Sequence, residues 1–177
     1  PFATAVVHGG PGAAGEMGPL AEELARKRGV LEPLQTADSL EKQVEELQNV
    51  LVRYGKSPIT LVGFSWGAWL GFIVSSRYPA LVKKLILIGS GPFEEKFAEK
   101  ITATRLSRLC EEERQEFQIL LQSLENPMVP NKNRVFGRIG SLISNADAFD
   151  PLKEDHKTID CNFDIFQNVW PQGANLR

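Results

Sequence analysis

The sequence predicts an α/β fold with a mostly parallel sheet, and two observations support this. Short apolar runs, at Ala3–Val7, Ile59–Phe64 and Leu85–Ile88, alternate with stretches that have the periodicity of amphipathic helices. Turns that contain glycine follow the first two runs directly. Parallel strands need a crossover connection, which a helix usually supplies. Alternating strand and helix signals are therefore typical of consecutive βαβ units.

A short helix and an edge strand are predicted after the first glycine cluster. Residues 19–28 have a helical pattern, in which Pro19 suits the first turn and Gly29 is a stop signal. Val30–Leu34 has the composition of a short strand. Because Pro33 has no N–H for a sheet ladder, we expect this strand at the edge or the run to end there.

Two longer helices flank the apolar run Ile59–Phe64. The first is predicted to begin near Asp38, which has capping-box spacing with Glu41, and to end at Gly55. Its apolar positions share one helical stripe, which consists of Leu40, Val44, Leu47, Leu51 and Tyr54. The second helix is predicted over Trp66–Tyr78.

Charged, helical patterns replace the strand signals after Ile88. These patterns cover residues 94–125, 131–146 and 160–170. We therefore expect two domains, an α/β core over residues 1–92 and a helical region over residues 93–177.

The composition is that of a soluble globular protein. The 177 residues are 42% hydrophobic and 24% charged, with a net charge of −2, so nothing favours nucleic acid or an anionic membrane as a partner. The apolar runs are too short to span a bilayer, and no basic leader opens the sequence. Cys110 and Cys161 lie far apart and are interpreted as buried or incidental thiols of a cytoplasmic protein rather than as a disulfide or a nucleophile.

The segment Gly63-Phe64-Ser65-Trp66-Gly67 has the pattern of a nucleophile elbow. It lies directly after an apolar strand and directly before a helix, which is the context that this motif requires. Gly63 and Gly67 allow a sharp turn and close packing of the helix on the strand. Ser65 is thereby the candidate nucleophile, with its hydroxyl at the end of the sheet.

A second motif, His8-Gly9-Gly10-Pro11-Gly12, follows the first strand. Glycines at this point let the backbone N–H of Gly9 or Gly10 approach a developing oxyanion. The second donor would be the N–H of Trp66, the residue after the candidate nucleophile. The two motifs together predict an oxyanion hole beside Ser65.

These two motifs resemble the α/β-hydrolases of the proline iminopeptidase type over about residues 3 to 92. The resemblance implies that Ser65 is the nucleophile, that the Gly-Gly segment contributes to the oxyanion hole and that residues 93–177 form a helical cap. It also implies the chain order nucleophile, acid, histidine. His8 precedes Ser65, so we expect it to hold the oxyanion loop by hydrogen bonding rather than to act as the base.

The sequence departs from this family in the residues that would complete a triad. His156, the only histidine after Ser65, lies in a polar stretch without a preceding strand and is interpreted as a solvated cap residue. Glu94 and Glu95 occupy the place of an alternative acid, but a solvated helix start is the preferred interpretation. The family's first two strands are also missing. Its Asp-x-Arg-Gly loop is replaced by residues 34–38, which weakens any inference of aminopeptidase specificity.

Counted as in that family, the predicted strands are the third to the sixth, in the order 4-3-5-6. The run Leu85–Ile88 would then be an apolar, unprotected sheet edge, which native proteins avoid. We therefore expect further C-terminal strands of a longer hydrolase, or a partner chain, to cover it. We expect the triad acid and histidine in those strands.

The sequence thus predicts a serine hydrolase that cleaves an ester, amide or peptide bond of a small-molecule or peptide substrate through an acyl-enzyme. No metal or organic cofactor is implied. A serine at the elbow argues against the dehalogenase and epoxide hydrolase branches, which attack through a carboxylate. Two alternatives stay open, a hydrolase-fold binding protein without turnover and an acyltransferase. Without a base and an acid, residues 1–177 alone are expected to be nearly inactive.

Overall fold

The computed structural model describes residues 2–150 and 160–174. The first part of the chain contains β1 (Phe2–Val7), β2 (Ala13–Ala14), α1 (Gly18–Ala25), β3 (Val30–Leu31), α2 (Leu40–Tyr54), β4 (Gly55–Phe64), α3 (Trp66–Arg77), a 3₁₀ turn (Pro79–Leu81) and β5 (Val82–Ile88). The second part contains α4 (Glu95–Arg108), α5 (Glu111–Glu125), α6 (Lys132–Asp147), β6 (Asp160–Cys161) and α7 (Phe163–Ala174). His156 lies outside the described residues.

The main sheet has four strands in the order β3-β1-β4-β5, and every neighbouring pair is parallel. This confirms the predicted α/β-hydrolase fold with the family order 4-3-5-6. Val7 of β1 lies opposite Gly63 of β4, and Phe64 of β4 lies opposite Ile88 of β5. The carboxyl ends of the three strands therefore meet at one edge of the sheet, which is where ligands bind in open α/β sheets.

The two central strands, β1 and β4, carry the core on both faces. One cluster of buried side chains joins them to α2 and α3, and it includes Val7, Leu47, Leu61, Leu70 and Val74. A smaller cluster lies on the face of α1 and includes Val6, Met17, Ala21 and Val62. Because side chains alternate along a strand, neighbouring residues such as Val6 and Val7 serve opposite layers.

The start of α2 differs from the predicted capping box. Ser39 is the N-cap residue, and its hydroxyl accepts a hydrogen bond from the N–H of Lys42. Asp38 instead forms an ion pair with the Lys42 ammonium at 2.9 Å. Glu41 extends away from the cap and binds both terminal nitrogens of Arg77 in α3 at 2.6 and 2.8 Å. The capping box between Asp38 and Glu41 was a wrong prediction, because an adjacent serine performs the capping.

Strand β5 is an outer strand of the sheet, and its side chains are poorly covered. Ile86, Leu87 and Ile88 are 40%, 42% and 38% exposed, whereas Leu61 in the neighbouring β4 is fully buried. Leu85 packs partly against the core below α3. Within the described residues, no strand lies on the outer side of β5.

The chain divides into two compact units, one of Pro1–Phe93 with Asp164–Arg177 and the other of Glu94–Phe163. Helix α7 was expected in the helical region, yet from Asp164 onwards it belongs to the first unit. Its apolar face explains this, since Val169 is fully buried in the core of that unit. The side-chain oxygen of Gln172 also accepts the N–H of Leu40 at 3.1 Å.

Helices α4, α5 and α6 make up most of the second unit. In α6, the buried apolar residues are Ile139, Leu142 and Ala146. Bidentate ion pairs join Arg105 to Asp147 and Arg138 to Glu116. That these helices form the cap domain of a hydrolase stays a prediction. None of the helices in the described ranges has the length and apolar character needed to cross a membrane.

Candidate active site

Ser65 has an unusual backbone conformation. Its φ of 50° and ψ of −111° place it in a region that non-glycine residues avoid, and no other non-glycine residue in the described ranges has a positive φ. Such a conformation costs on the order of 1–3 kcal/mol and persists only where the surroundings impose it. Here the N–H of Ser65 donates to the carbonyl of Ile88 at 2.9 Å, and its carbonyl accepts the N–H of Ala68 at 3.1 Å.

The glycines on either side of Ser65 permit this turn. A Cβ atom at Gly63 would collide with the carbonyl oxygen of Gly67. One at Gly67 would lie 2.5 Å from the carbonyl oxygens of Val7 and His8. Both distances are shorter than real Cβ contacts, so the prediction that these glycines allow close packing is confirmed. The first turn of α3 therefore lies directly against the ends of β1 and β4.

The Ser65 side chain lies at the edge of this turn. The residue is partly exposed, and its hydroxyl makes no capping hydrogen bond to α3. Helix α3 begins at the next residue, so the positive end of its dipole and its first N–H groups are close to Ser65. The hydroxyl is thus held at the carboxyl edge of the sheet without being used to cap the helix.

His8 is fully buried, and both of its ring nitrogens are hydrogen-bonded. The N–H of Gln35 lies 3.0 Å from Nε2, and the carbonyl of Gly9 lies 2.8 Å from Nδ1. A backbone N–H can only donate, so Nε2 is the acceptor and Nδ1 carries the proton. Burial lowers the pKa of His8 below its ordinary 6.5, against the opposing effects of the Gly9 bond and the Glu46 charge. His8 is therefore a neutral residue whose nitrogens bind backbone groups.

The N–H of Gly9, one of the two candidate oxyanion donors in the glycine loop, already has an acceptor. It donates to Oε2 of Glu16 at 2.9 Å. Burial raises the pKa of Glu16 above its ordinary 4.5, and the hydrogen bond from Gly9 opposes that rise. The N–H of Gly9 is therefore not free to bind an oxyanion. Glu16 is an additional residue of the candidate site, and the sequence did not indicate it.

The other two candidate donors are unoccupied. Across residues 2–150 and 160–174, neither the N–H of Gly10 nor that of Trp66 has a protein acceptor. Gly10 has a φ of 32°, a conformation that glycine adopts readily. Trp66 is the first residue of α3, where N–H groups have no intrahelical partner. These two N–H groups are the ones available to an oxyanion.

The side chain of Trp66 anchors the start of α3. The ring is 1% exposed, and its Nε1–H donates to the side-chain oxygen of Gln43 at 2.8 Å. Gln43 in turn donates to the carbonyl of Ala37 at 2.9 Å. The Trp66 ring also packs at 6.1 Å from Trp69 and 6.4 Å from Trp170, centroid to centroid. The N–H of Trp66 is thus attached to a rigid, buried side chain.

Comparison with known proteins gives the family of this chain. The family model described as the alpha/beta hydrolase fold matches residues 32–125, more than half of the sequence. The chain belongs to the alpha/beta hydrolase family. A comparison with curated protein sequences finds no match.

Two solved structures share its fold at low identity. Proline iminopeptidase from Mycobacterium smegmatis has 19% identity and a TM-score of 0.51, and the match covers 81% of this chain and 56% of that one. VinJ has 21% identity and a TM-score of 0.54, with 75% and 51% of the two chains covered. The present chain therefore spans about half the length of these two proteins.

Two further residues of this hydrolase domain lie beside the loop and were not selected from the sequence. Gln35 is 1% exposed, and neither polar atom of its side chain has a partner among residues 2–150 and 160–174, although its N–H binds His8. Glu16 is the other. The carboxylate of Glu94, considered as an alternative acid, forms an exposed ion pair with Lys96 at 2.6 Å, in agreement with a solvated helix start. Cys110 is exposed and forms no disulfide among the described residues.

Proposed function

We propose that the protein is a serine hydrolase that cleaves an ester, amide or peptide bond through an acyl-enzyme on Ser65. The observation that carries the proposal is the strained backbone of Ser65 at the carboxyl end of β4, held by Ile88 and by the first turn of α3. Backbone strain of this kind persists where the surroundings impose it and is common at catalytic residues. Membership of the alpha/beta hydrolase family supports the same assignment.

In the proposed reaction, the Ser65 oxygen adds to the substrate carbonyl carbon and transfers its proton to a base. The resulting oxyanion accepts hydrogen bonds from the N–H groups of Gly10 and Trp66. The carbonyl re-forms, the leaving group departs with a proton, and water then hydrolyses the ester on Ser65. Loss of one such donor typically lowers kcat by about 10² to 10³.

The base and the acid are not found among the described residues. His8 cannot take the proton of Ser65 without breaking a hydrogen bond to Gly9 or Gln35. We propose that both groups are supplied either by further strands of a longer polypeptide or by a partner chain. Either one would pair with the exposed edge of β5. The apolar exposure of Ile86, Leu87 and Ile88 supports this, because uncovered edges of this kind are rare in native proteins. The mechanism requires no metal or organic cofactor.

The substrate class is a further proposal. Aminopeptidase-like cleavage is suggested by the two glycine-containing motifs, which resemble those of the proline iminopeptidase type. The segment after β3 lacks that family's charged loop and instead places Gln35, with a buried amide, beside His8. We therefore propose a small peptide or ester substrate without assigning proline specificity. We also propose a cytoplasmic location for the protein.

A fluorophosphonate probe tests the proposal on the intact protein. We expect covalent modification of Ser65, identified by mass spectrometry of the labelled peptide, and no labelling in Ser65→Ala. Ser90→Ala is the matched control, because the Ser90 hydroxyl also lies past the end of a strand but is bonded to the carbonyl of Gly91. Absence of labelling in the folded wild-type protein would favour a hydrolase-fold binding protein. With a labelled acyl donor and water as the only acceptor, failure to release acid would favour an acyltransferase.

A further inference from the structure

The peptide groups on both sides of Gly9 are held by charged or polar side chains. The N–H of Gly9 belongs to the His8–Gly9 peptide and donates to Glu16 at 2.9 Å. The carbonyl of Gly9 belongs to the next peptide and accepts a hydrogen bond from Nδ1 of His8 at 2.8 Å. Two different side chains thus determine the orientation of two consecutive peptide planes.

The second of these planes contains the N–H of Gly10. In a trans peptide, the carbonyl of one residue and the N–H of the next point in opposite directions. Because the Gly9 carbonyl points to His8, the N–H of Gly10 points away from His8. A donor bound to the carbonyl also polarises the peptide and strengthens its N–H as a donor.

Glu16 occupies a confined position next to the first plane. A Cβ atom at Gly9 would lie 2.5 Å from Oε2 of Glu16 and 2.8 Å from the ring of Phe64, the residue before Ser65. The carboxylate therefore lies against the Gly9 backbone with no room for another side chain. Across the described residues, Gly9 provides the only hydrogen bond to this carboxylate. A partly buried carboxylate with one partner makes that single bond important for the loop.

We propose that Glu16 is a positioning residue for the oxyanion hole. By accepting the N–H of Gly9, it withdraws one of the two glycine donors and holds the loop so that, of the two glycines, only Gly10 donates to the oxyanion, together with Trp66. This rests on the proposed hydrolase function. It adds to that function a role for Glu16, which lies outside both sequence motifs, and it gives the adjacent residues Gly9 and Gly10 different roles.

The first test does not depend on turnover. Amide spectra of the ¹⁵N-labelled intact protein are compared for wild type, Glu16→Gln and Glu16→Ala. Glu23→Ala is the control, because the carboxylate of Glu23 forms an exposed ion pair with Arg26. We expect the Gly9 amide proton to shift with the titration of Glu16, at a pH above the ordinary value of 4.5. We expect that titration to vanish in both Glu16 variants and Gly9 exchange to be faster by on the order of tenfold in Glu16→Ala.

The second test measures the reaction with p-nitrophenyl acetate and with the fluorophosphonate. In Glu16→Ala we expect kcat to fall on the order of 10- to 100-fold with little change in KM, less than the loss of a donor itself. Glu16→Gln keeps an oxygen acceptor and is expected to recover part of the rate. Glu23→Ala is expected to match wild type.

The outcomes separate the two proposals. A folded wild type that reacts with neither compound contradicts the proposed function, and the amide spectra still decide the role of Glu16 in the loop. A reactive wild type with unchanged Gly9 spectra or unchanged kcat in both Glu16 variants would overturn the positioning role. If Glu16→Ala does not fold, the near-isosteric Glu16→Gln decides, through loss of the Gly9 titration and an intermediate kcat.

Discussion

Strands β4 and β5 are neighbours with similar apolar sequences and different surroundings. Leu61 in β4 is fully buried in the cluster that joins β1 and β4 to α2 and α3, whereas Leu87 in β5 is 42% exposed. Leucines in adjacent parallel strands thus differ in exposure because different elements lie beside each strand. The comparison matters for function, because Ser65 is bonded to both strands, by the chain to β4 and through its N–H to Ile88 of β5.

The largest effect is expected from truncating these two leucines. Leu61→Ala removes fully buried methyl groups and should lower the free energy of unfolding by about 2–5 kcal/mol, as buried leucines generally do. Leu87→Ala removes methyl groups that are 42% exposed and should cost less than about 1.5 kcal/mol in residues 1–177. Urea denaturation of both variants measures the difference.

The same pair also tests whether β5 is covered. In the intact protein, we expect the cost of Leu87→Ala to rise towards that of Leu61→Ala, because an added strand would bury the side chain. Equal and small costs for Leu87→Ala in both contexts would contradict the proposal that further strands complete the sheet.

The second-largest effect is expected from Gly67→Ala, at the point where α3 packs against the end of β1, the other neighbour of β4. A Cβ at Gly67 would lie 2.5 Å from backbone carbonyl oxygens of Val7 and His8, which cannot move independently. We expect Gly67→Ala to cost about 1–3 kcal/mol or more through overpacking, and to abolish labelling of Ser65. Thermal unfolding and the fluorophosphonate reaction measure the two effects.

Gly140→Ala is the matched control for that substitution. Gly140 lies inside α6, and a Cβ there would meet no described atom within 4 Å beyond the adjacent backbone of its own helix. Alanine in an open helical position should stabilise the protein by roughly 0.5–1 kcal/mol. If Gly67→Ala proved as well tolerated as Gly140→Ala, the close packing of α3 on β1 would not be a requirement of the elbow.

The strands and the elbow could be predicted from the sequence because they depend on local patterns. Apolar runs bounded by glycines give the strands, whereas their order was implied by the resemblance of the two glycine-containing motifs to a known family. The cap of α2 was missed because Asp38 and Ser39 are adjacent and both are good capping residues. Only the backbone geometry selects Ser39, whose φ of −145° is that of an N-cap.

The contacts of the oxyanion loop could not be predicted in the same way. The glycine motif indicates where donors lie, but Gly9 and Gly10 are equivalent in sequence. Their different roles arise because the turn at residues 10–16 returns Glu16 to Gly9, and no periodicity encodes that return. The placement of α7 has a similar cause. Its apolar residues predict a buried face without saying that the face covers Trp66 and Trp69.

The smallest effect is expected from the pH dependence of the end of β1, where His8 is buried. Its pKa in the folded protein lies below the ordinary 6.5 because burial disfavours the charged form. The unfolded chain therefore binds more protons than the folded one as the pH falls past 6.5, and the stability that neutral His8 retains above this value is progressively lost. Unfolding midpoints of wild type and His8→Gln, measured from pH 8 to about pH 5, should show a decline in wild type that the variant lacks. Parallel declines in the two proteins would assign the pH dependence to other groups, whereas a steeper wild-type decline would show that the loop beside Ser65 requires a neutral His8.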